Sequence, residues 1–355
     1  MKITFAHFGP YYKEIEYLLK NITNKEILVP PKITKKTIAL GEKYSPNLIC
    51  LPFKYNLGNF IESLENKADT IIHIGGGCKF GYYCEVQMQI LKDLGYKFNF
   101  YNLMKEGNFS ISRAYKIFLN INPHLTYYKF IKVIIYTLIY AYFSDKLEDY
   151  IRRNKVLIIE KDKIDKICTK SDTYFKSNKS ILKLIVNNFK VINKIKSLKK
   201  IQNSNNLKIC IIGELYSNIE VSSSSNLEET LINMGFIIKR FTNASYLLVF
   251  TFLFDKLRMK FIKKYVKYNM GADASANVYR VTWAKRHKYD GIIHIKPFGC
   301  TPEIGVIPVL ESICEDNNIP IMFLTFESQN SDIGINTRLE AFYDMLKMRK
   351  EKLNE

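Results

Sequence analysis

The chain has 355 residues, 47% of them hydrophobic and 25% charged, with a formal net charge of +19 at pH 7. This length allows two ordinary domains, and the composition is that of a globular protein rather than a disordered or fibrous one. The positive charge could attract nucleic acid or an acidic cofactor or partner. No basic helix interleaved with aromatic residues stands out, so nucleic acid is not expected to be the main ligand.

Neither an export signal nor a membrane span is predicted. The first residues, MKITFAHFGPYY, lack the successive charged, apolar and small-residue regions of a signal peptide. The longest apolar stretch, IKVIIYTLIYAYF, is interrupted by Lys132 and is shorter than the roughly 20 residues that cross a bilayer. A buried helix is expected there. We therefore predict a cytoplasmic protein without membrane contact, whose seven cysteines are metal ligands, redox groups or core residues rather than disulfides.

The first part of the chain, residues 1–105, alternates strand patterns with helix patterns. Predicted strands are KITFAH, EILVP, NLICLP, DTIIHI and YKFNFY, and predicted helices include YYKEIEYLLKN, LGNFIESLENK and CEVQMQILKDLG. Strands that alternate with helices favour a parallel sheet covered on both faces. An N-terminal α/β domain is expected.

The same alternation returns at 207–355, in LKICIIG, SNLEETLINMG, FIIKRF, DGIIHI, IGVIPVLESICEDNN and IPIMFLTF. TLINMGFIIKRF resembles ILKDLGYKFNFY, and YDGIIHI resembles ADTIIHI. Between the two parts, residues 106–206 are Lys-rich and helical in pattern. The predicted fold class is α/β, with two Rossmann-like or flavodoxin-like parallel-sheet domains joined by a helical insert and connector.

Three cysteines follow predicted strands at turns shaped by glycine or proline. They are Cys50 in NLICLP, Cys78 in TIIHIGGGC and Cys300 in DGIIHIKPFGC. Ligands of parallel α/β sheets sit beyond the carboxyl ends of the strands, and helix N-termini there favour thiolates. Three such thiolates would suit an iron–sulfur cluster. The alternative is that the three are small buried core residues.

Several collinear motifs resemble the 2-hydroxyacyl-CoA dehydratase superfamily, most nearly the branch related to acyl-CoA dehydratase activases. In residues 30–95 they are ITKKTIALG, SPNLICLPFK, LGNFIESLE, GGGCKFGYY and EVQMQILKDLGY. In the C-terminal part they are CIIGELY, YDGIIHIKPFGCTPEI and TRLEAFYDML. The resemblance covers both α/β parts and leaves the helical middle unmatched.

This resemblance implies a 4Fe–4S-type cluster held between two α/β domains by Cys50, Cys78 and Cys300. It also implies an electron supplied by a separate ATP-dependent activase, radical dehydration of an acyl-CoA, and pairing as a homo- or heterodimer. Two alternatives stay open. One is an iron–sulfur reductase of another small substrate, similar to proteins with a double-cubane cluster, and the other is a non-enzymatic electron relay or scaffold.

Other residues near these turns have competing interpretations. Gly75, Gly76 and Gly77 would let the backbone approach a cluster, since GGGCKFG matches neither nucleotide-binding glycine pattern. Cys84 is either a fourth ligand or, as we favour, a buried thiol. Glu303 either caps the helix after Cys300 or, as a weaker candidate for catalysis, acts on substrate protons.

Two histidines precede the proposed ligands, in matching IIHI segments. His73 and His294 are interpreted as core histidines, with hydrogen bonding to cluster sulfur as the alternative. The segment MGADASANV stands where relatives commonly carry a histidine-containing helix start, and it has no histidine. The remaining cysteines, Cys168, Cys210 and Cys314, are expected to be packing residues.

Overall fold

A computed structural model describes most of the chain. The described residues are 1–74, 82–105, 108–177, 180–201, 205–243, 251–271, 273–327 and 332–354. Cys78 and the three glycines before it lie outside them, so the predictions made for these residues are not tested by the structure.

The N-terminal part forms a four-stranded parallel sheet in the order β2-β1-β3-β4. Its strands are β1 (Lys2–Thr4), β2 (Glu26–Ile27), β3 (Thr70–His73) and β4 (Asn99–Asn102). The helices that connect them are α1 (Tyr12–Thr23), α2 (Lys35–Tyr44), α3 (Leu51–Glu65) and α4 (Tyr83–Asp93). A short antiparallel pair follows, β5 (Met104–Lys105) with β6 (Asn108–Phe109).

The C-terminal part forms a second four-stranded parallel sheet, in the order β8-β7-β9-β10. Its strands are β7 (Lys208–Gly213), β8 (Ile237–Arg240), β9 (Gly291–Pro297) and β10 (Ile321–Phe326). The helices are α9 (Leu215–Ile219), α10 (Leu227–Asn233), α11 (Thr251–Ile262), α12 (Ala274–Arg286), α13 (Thr301–Asp316) and α14 (Asp332–Asn354). Numbered within its own sheet, each set of strands has the order 2-1-3-4, so the predicted α/β class with two parallel sheets is confirmed.

Of the two pairs of similar segments, only one pair occupies equivalent positions in the two sheets. The IIHI segments form β3 and β9, which are the third strands of their sheets and lie beside the first strands. In the other pair, ILKDLGYKFNFY runs from α4 into the fourth strand of its sheet, whereas TLINMGFIIKRF runs from α10 into the second strand of its sheet. The similarity of this pair arises because both helices end in the same backbone motif, in which Gly95 and Gly235 take positive φ values of 86° and 95°.

Four helices fill the middle of the chain, as the Lys-rich helical pattern predicts. They are α5 (Ile111–Ile121), α6 (Tyr127–Asn154), α7 (Lys161–Ser177) and α8 (Ile181–Lys196). Aromatic rings connect α6 and α7 to α1 of the first sheet, with Tyr17 lying 5.1 Å from Tyr136 and 4.8 Å from Phe175 between ring centroids. The domain boundaries at 105/106 and 206/207 stay predictions. Within the described ranges, no helix combines the length and apolar character needed to cross a membrane.

The long helix α6 also contacts the second sheet. Near its end, Arg152 Nε donates to Glu228 Oε2 at 2.7 Å, and Arg240 Nη1 donates to Glu228 Oε1 at 2.9 Å. The two guanidinium groups hold the pKa of the Glu228 carboxyl below its usual range, although burial acts in the opposite direction. A shared carboxylate between two largely buried arginines therefore ties the helical middle to β8.

The two sheets meet just beyond the carboxyl ends of their first strands. His7, after β1, has its Nδ1 atom 2.7 Å from Oε2 of Glu220, which follows α9. The Gly9 amide donates to the same oxygen at 2.9 Å. Gly9 has φ +50°, and an added Cβ would lie 2.4 Å from the carbonyl oxygen of Ile219. Glycine therefore permits a close backbone contact at the edge where parallel sheets bind ligands.

Candidate cysteine site

Cys50 begins a helix rather than ending a strand. The predicted strand NLIC is a turn between α2 and α3, and Cys50 is the residue that caps α3, with Pro52 in the first turn. A short apolar run does not distinguish a strand from the approach to a buried helix. The Leu-Pro pair after the cysteine is the decisive local feature, because proline is favoured where a helix amide needs no partner.

Cys300 has the same local arrangement in the second sheet. It follows β9, caps α13 and has Pro302 in the first turn. Both caps therefore carry the pattern Cys-X-Pro, and both cysteine residues have extended backbone before a helix begins. Each thiol is presented at a helix N-terminus, where the backbone amides favour negative charge.

The two cysteine turns abut. A Cβ atom added to Gly299, which has φ +77°, would lie 3.1 Å from the carbonyl oxygen of Leu48. Burial raises the pKa of the Cys300 thiol, the Glu214 carboxyl raises it further, and Cys50 is among the groups that do so. The structure therefore brings together two of the three predicted ligands, one from each part of the chain.

The described chain resumes after the Cys78 segment close to Cys50. That segment starts after β3 and ends at α4, in whose first turn the hydroxyl of Tyr83 hydrogen-bonds with the sulfur of Cys50. The Tyr83 ring also packs edge-on against Phe53, at 5.2 Å between centroids. Among the described residues, which exclude Cys78, there is no group of three or more metal-binding side chains.

Two glycines set the position of α3, and hence of Cys50, against α2. A Cβ on Gly58 would lie 2.0 Å from the carbonyl oxygen of Thr37, and one on Gly41 would lie 2.0 Å from that of Lys54. The two helices therefore pack with their backbones in direct contact. The buried hydroxyl of Thr37 hydrogen-bonds with Glu62 on α3 at 2.5 Å, which adds a polar link to the same contact.

His73 and Cys84, which lie on either side of the Cys78 segment in sequence, form a buried pair. Cys84 Sγ lies 3.0 Å from His73 Nδ1, and His73 Nε2 lies 2.9 Å from Gln87 Oε1. Gln87 in turn donates to the carbonyl oxygen of Phe53 at 3.0 Å. Burial lowers the pKa of His73 to about 4. His73 is thus a neutral core histidine with both ring nitrogens hydrogen-bonded, and Cys84 is a buried thiol.

The pH dependence of stability tests this description of His73. Its folded pKa lies below its ordinary value of 6.5, so between about pH 6.5 and 4 the unfolded chain binds a proton that the folded chain does not. We expect the free energy of unfolding to fall by about 2–3 kcal/mol over this range through His73. Denaturant titrations at several pH values should show a shallower slope in His73→Gln and an unchanged slope in His124→Gln, whose side chain is exposed. Equal slopes in wild type and His73→Gln would contradict the description.

Glu303 lies in the first turn of α13, three residues after the N-cap residue Cys300. Its carboxylate contacts a buried polar cluster rather than forming the helix cap favoured from the sequence. Its Oε2 atom lies 2.7 Å from Nε2 of His294 and accepts from the Asn277 amide at 2.8 Å. All three side chains are fully buried. Glu303 Oε1 and His294 Nδ1 have no hydrogen-bond partner in the part of the chain that the structure describes.

Residues of the segment MGADASANV extend this polar cluster. Asn277 Oδ1 accepts from the Gly213 amide at 3.1 Å and from Arg280 Nη1 at 2.7 Å. Arg280 pairs with Asp273 at 3.4 Å, and burial raises the pKa of Asp273. Sequence reasoning noticed only the missing histidine here. The polar residues at helical spacing, Asp273, Asn277 and Arg280, were the available signal for a buried network.

Two further charged groups lie close to Cys300. Glu214, directly after β7, accepts from the amides of Tyr216 and Ser217 at 2.8 Å each, and burial raises its pKa to about 7. Burial lowers the pKa of Lys296, while the Cys300 thiol and Glu303 act in the opposite direction. The sulfur of Cys300 therefore lies among buried ionisable groups rather than in an apolar core.

The remaining cysteines sit in packing positions. Cys210 on β7 and Cys314 on α13 are buried in one apolar cluster. Cys168 on α7 is half-buried against the apolar cluster of the helical middle. The expectation that these three are packing residues is confirmed.

Part of the C-terminal region resembles a known protein family. Residues 257–346 match the family model described as 2-hydroxyglutaryl-CoA dehydratase, D-component. The predicted resemblance to the 2-hydroxyacyl-CoA dehydratase superfamily is confirmed. The match with this dehydratase family includes Cys300 and Glu303, and Cys50 and Cys78 lie outside it. A search of curated proteins found no match to the chain.

Proposed function

We propose that the chain is a component of a 2-hydroxyacyl-CoA dehydratase and that Cys50, Cys78 and Cys300 hold one 4Fe–4S-type cluster in it. The observation that carries this proposal is the contact between the Cys50 and Cys300 turns, which come from different sheets. Both cysteines cap helices in the same Cys-X-Pro arrangement. Cys50 also packs against the apolar cluster of α3, so the proposal depends on the matched caps and their contact rather than on burial.

The donor set fits an iron–sulfur cluster. Cysteine thiolates are the usual protein ligands of such clusters, and hydrogen bonds to the sulfurs and buried charge tune them. The Tyr83 hydroxyl hydrogen-bonds with Cys50. The backbone amide of Glu303 hydrogen-bonds with the Cys300 thiol and opposes the rise in its pKa that burial causes. When bound, the cluster would supply one-electron chemistry and an iron position open to a further ligand.

The residues around Cys300 suit an acyl-CoA whose hydroxyl and proton must leave. Glu303 Oε1 and His294 Nδ1 are buried polar atoms without partners in the described structure. Glu214 has a pKa of about 7, which allows a carboxyl group to exchange protons near neutral pH. Lys296 adds a cation beside the carboxylates and the thiol. We propose Glu303 as the group that handles a substrate proton.

The electron would come from an ATP-dependent activase on another polypeptide, with dimerisation of the chain as a further expectation. The protein should be purified anaerobically, assayed for iron and sulfide, and then mixed with 2-hydroxyglutaryl-CoA, ATP, a reductant and an activase. A brown protein with a broad band near about 400 nm is expected, and it should release water from the thioester only when all components are present.

The outcomes separate the proposal from its alternatives. A colourless protein without iron or sulfide would contradict the cluster. A protein that contains the cluster and accepts electrons from the activase, but leaves 2-hydroxyacyl-CoA thioesters unchanged, would favour the reductase or the relay over the dehydratase.

A further inference from the structure

Two helices in the middle of the chain expose apolar side chains along adjoining faces. On α6 these are Tyr128, Ile135 and Tyr142, which are 75%, 44% and 39% exposed. On α8 they are Leu182, Val186 and Phe189, which are 76%, 53% and 55% exposed. We call these six residues the α6–α8 face. Contiguous exposed apolar groups of this kind mark interaction sites more often than ordinary surface.

The six residues form one surface rather than two separate stripes. The helices α6 and α8 pack against each other. The ring of Phe143 lies 5.6 Å from that of Tyr142 and 5.4 Å from that of Phe189, each between centroids. Phe143 therefore joins the apolar stripe of α6 to that of α8.

The spacing on α6 favours a helix as the occupant. Tyr128, Ile135 and Tyr142 recur every seven residues, and the half-buried Ile131 and Leu138 lie between them. Apolar positions repeating as in a heptad seam receive the side chains of a second helix packed alongside. The α8 residues Leu182, Val186 and Phe189 have the spacing i, i+4, i+7, so they form an apolar stripe along their part of the α6–α8 face.

Lysine side chains border the α6–α8 face. Lys132 lies 5.8 Å from the ring centroid of Tyr128, and Lys146 lies 5.4 Å from that of Tyr142. The helix α8 contains lysines and no acidic residue; its lysines are Lys183, Lys190, Lys194 and Lys196. A second copy of the chain would place lysine against lysine on this face, which is unfavourable.

We propose that the α6–α8 face binds an amphipathic helix of a different protein chain, whose apolar seam is flanked by aspartate or glutamate. The apolar stripes supply the contact area, and the lysines select an acidic partner and disfavour self-association through this face. A helix is favoured over an anionic membrane surface because the exposed residues follow a seven-residue repeat. This proposal is independent of the cluster and of the reaction.

A designed peptide tests the proposal directly. The probe is a fluorescent three-heptad helix with leucine at the seam and glutamate on both flanks, and its partner probe carries lysine on both flanks. Fluorescence anisotropy with the full chain should show that the glutamate peptide binds at least about tenfold more tightly than the lysine peptide and weakens as salt rises. The combined variant Lys132→Glu, Lys146→Glu should reduce the difference in affinity between the two peptides.

Matched variants distinguish binding at the α6–α8 face from nonspecific apolar binding. Replacing Tyr128, Ile135 and Tyr142 by serine should reduce binding of the glutamate peptide at least about tenfold, with an unchanged circular dichroism spectrum. Serine at the exposed residues Ile333 and Met348 of α14 should leave binding unchanged. Equal binding of the two peptides, or no binding of the glutamate peptide, would overturn the proposal.

Two other results would also overturn it by identifying another occupant. The first is a dimer of the chain, measured by light scattering, that the serine variant converts to monomer. The second is binding to vesicles of phosphatidylcholine and phosphatidylserine that the serine variant loses, without binding to the glutamate peptide.

Discussion

Replacing Cys50, Cys78 or Cys300 by serine is expected to remove most of the iron and sulfide from the anaerobically purified protein. A serine hydroxyl keeps the shape of the side chain and loses the thiolate that iron–sulfur clusters require. Changes that only disturb the surroundings of metal ligands cost about 10–100-fold in affinity, so loss of a ligand should cost at least that. Iron and sulfide content and the visible absorption band are the measurements.

Other cysteines of the same chain provide the controls. Cys168→Ser changes a half-buried thiol in the helical middle, and Cys314→Ser changes a buried thiol on the same helix as Cys300. Both should keep iron and sulfide at the wild-type level, as should Cys84→Ser, because that thiol is buried against His73. Equal metal content in all six variants would remove the ligand assignment.

Gly58→Ala is expected to destabilise the N-terminal part and to displace Cys50. The added methyl group would lie 2.0 Å from a backbone oxygen of Thr37, and backbone cannot move aside as a flexible side chain can. The helices α2 and α3 would have to separate, so we expect the free energy of unfolding to fall by about 1–3 kcal/mol. Denaturant unfolding measures this loss, and iron content should fall with it because α3 begins at Cys50.

Gly305→Ala is the matched control for this substitution. Gly305 lies in α13, the helix that begins at Cys300, and the nearest atom to an added Cβ is Met270 Cε at 3.6 Å, an ordinary contact. Alanine favours a helix over glycine by up to about 1 kcal/mol, so this variant should be as stable as wild type or more so. A Gly58→Ala protein with wild-type stability would contradict the close packing of α2 and α3.

The fold could be predicted from sequence because its signals are local and repeated. Short apolar runs separated by amphipathic stretches indicate parallel strands and covering helices, and glycines after α4 and α10 mark where helices end. Cys50 was misplaced because NLICLP is too short for its periodicity to decide between strand and turn. Gly41 and Gly58 carried no readable signal, since glycine within a helical pattern indicates weakness as readily as close packing.

The candidate site could be predicted only in part. The cysteines were visible because few residue types bind iron and because each lies beside glycine or proline. The cluster of His294, Glu303 and Asn277 depends on three elements meeting in space, and no spacing along the chain encodes that meeting. The contact of His7 with Glu220 likewise joins turns of different sheets. Such pairs follow from the arrangement of the two sheets, which local patterns do not fix.

The most direct test of the account is the position of iron relative to the three thiols. Crystals of anaerobically purified protein, measured at the iron absorption edge, would locate it in an anomalous difference map. The account predicts a single iron–sulfur centre at the contact between the two cysteine turns, bonded to the sulfur atoms of Cys50, Cys78 and Cys300. An iron-loaded crystal whose metal lies elsewhere, or in which any of these sulfurs is out of bonding reach, would contradict it.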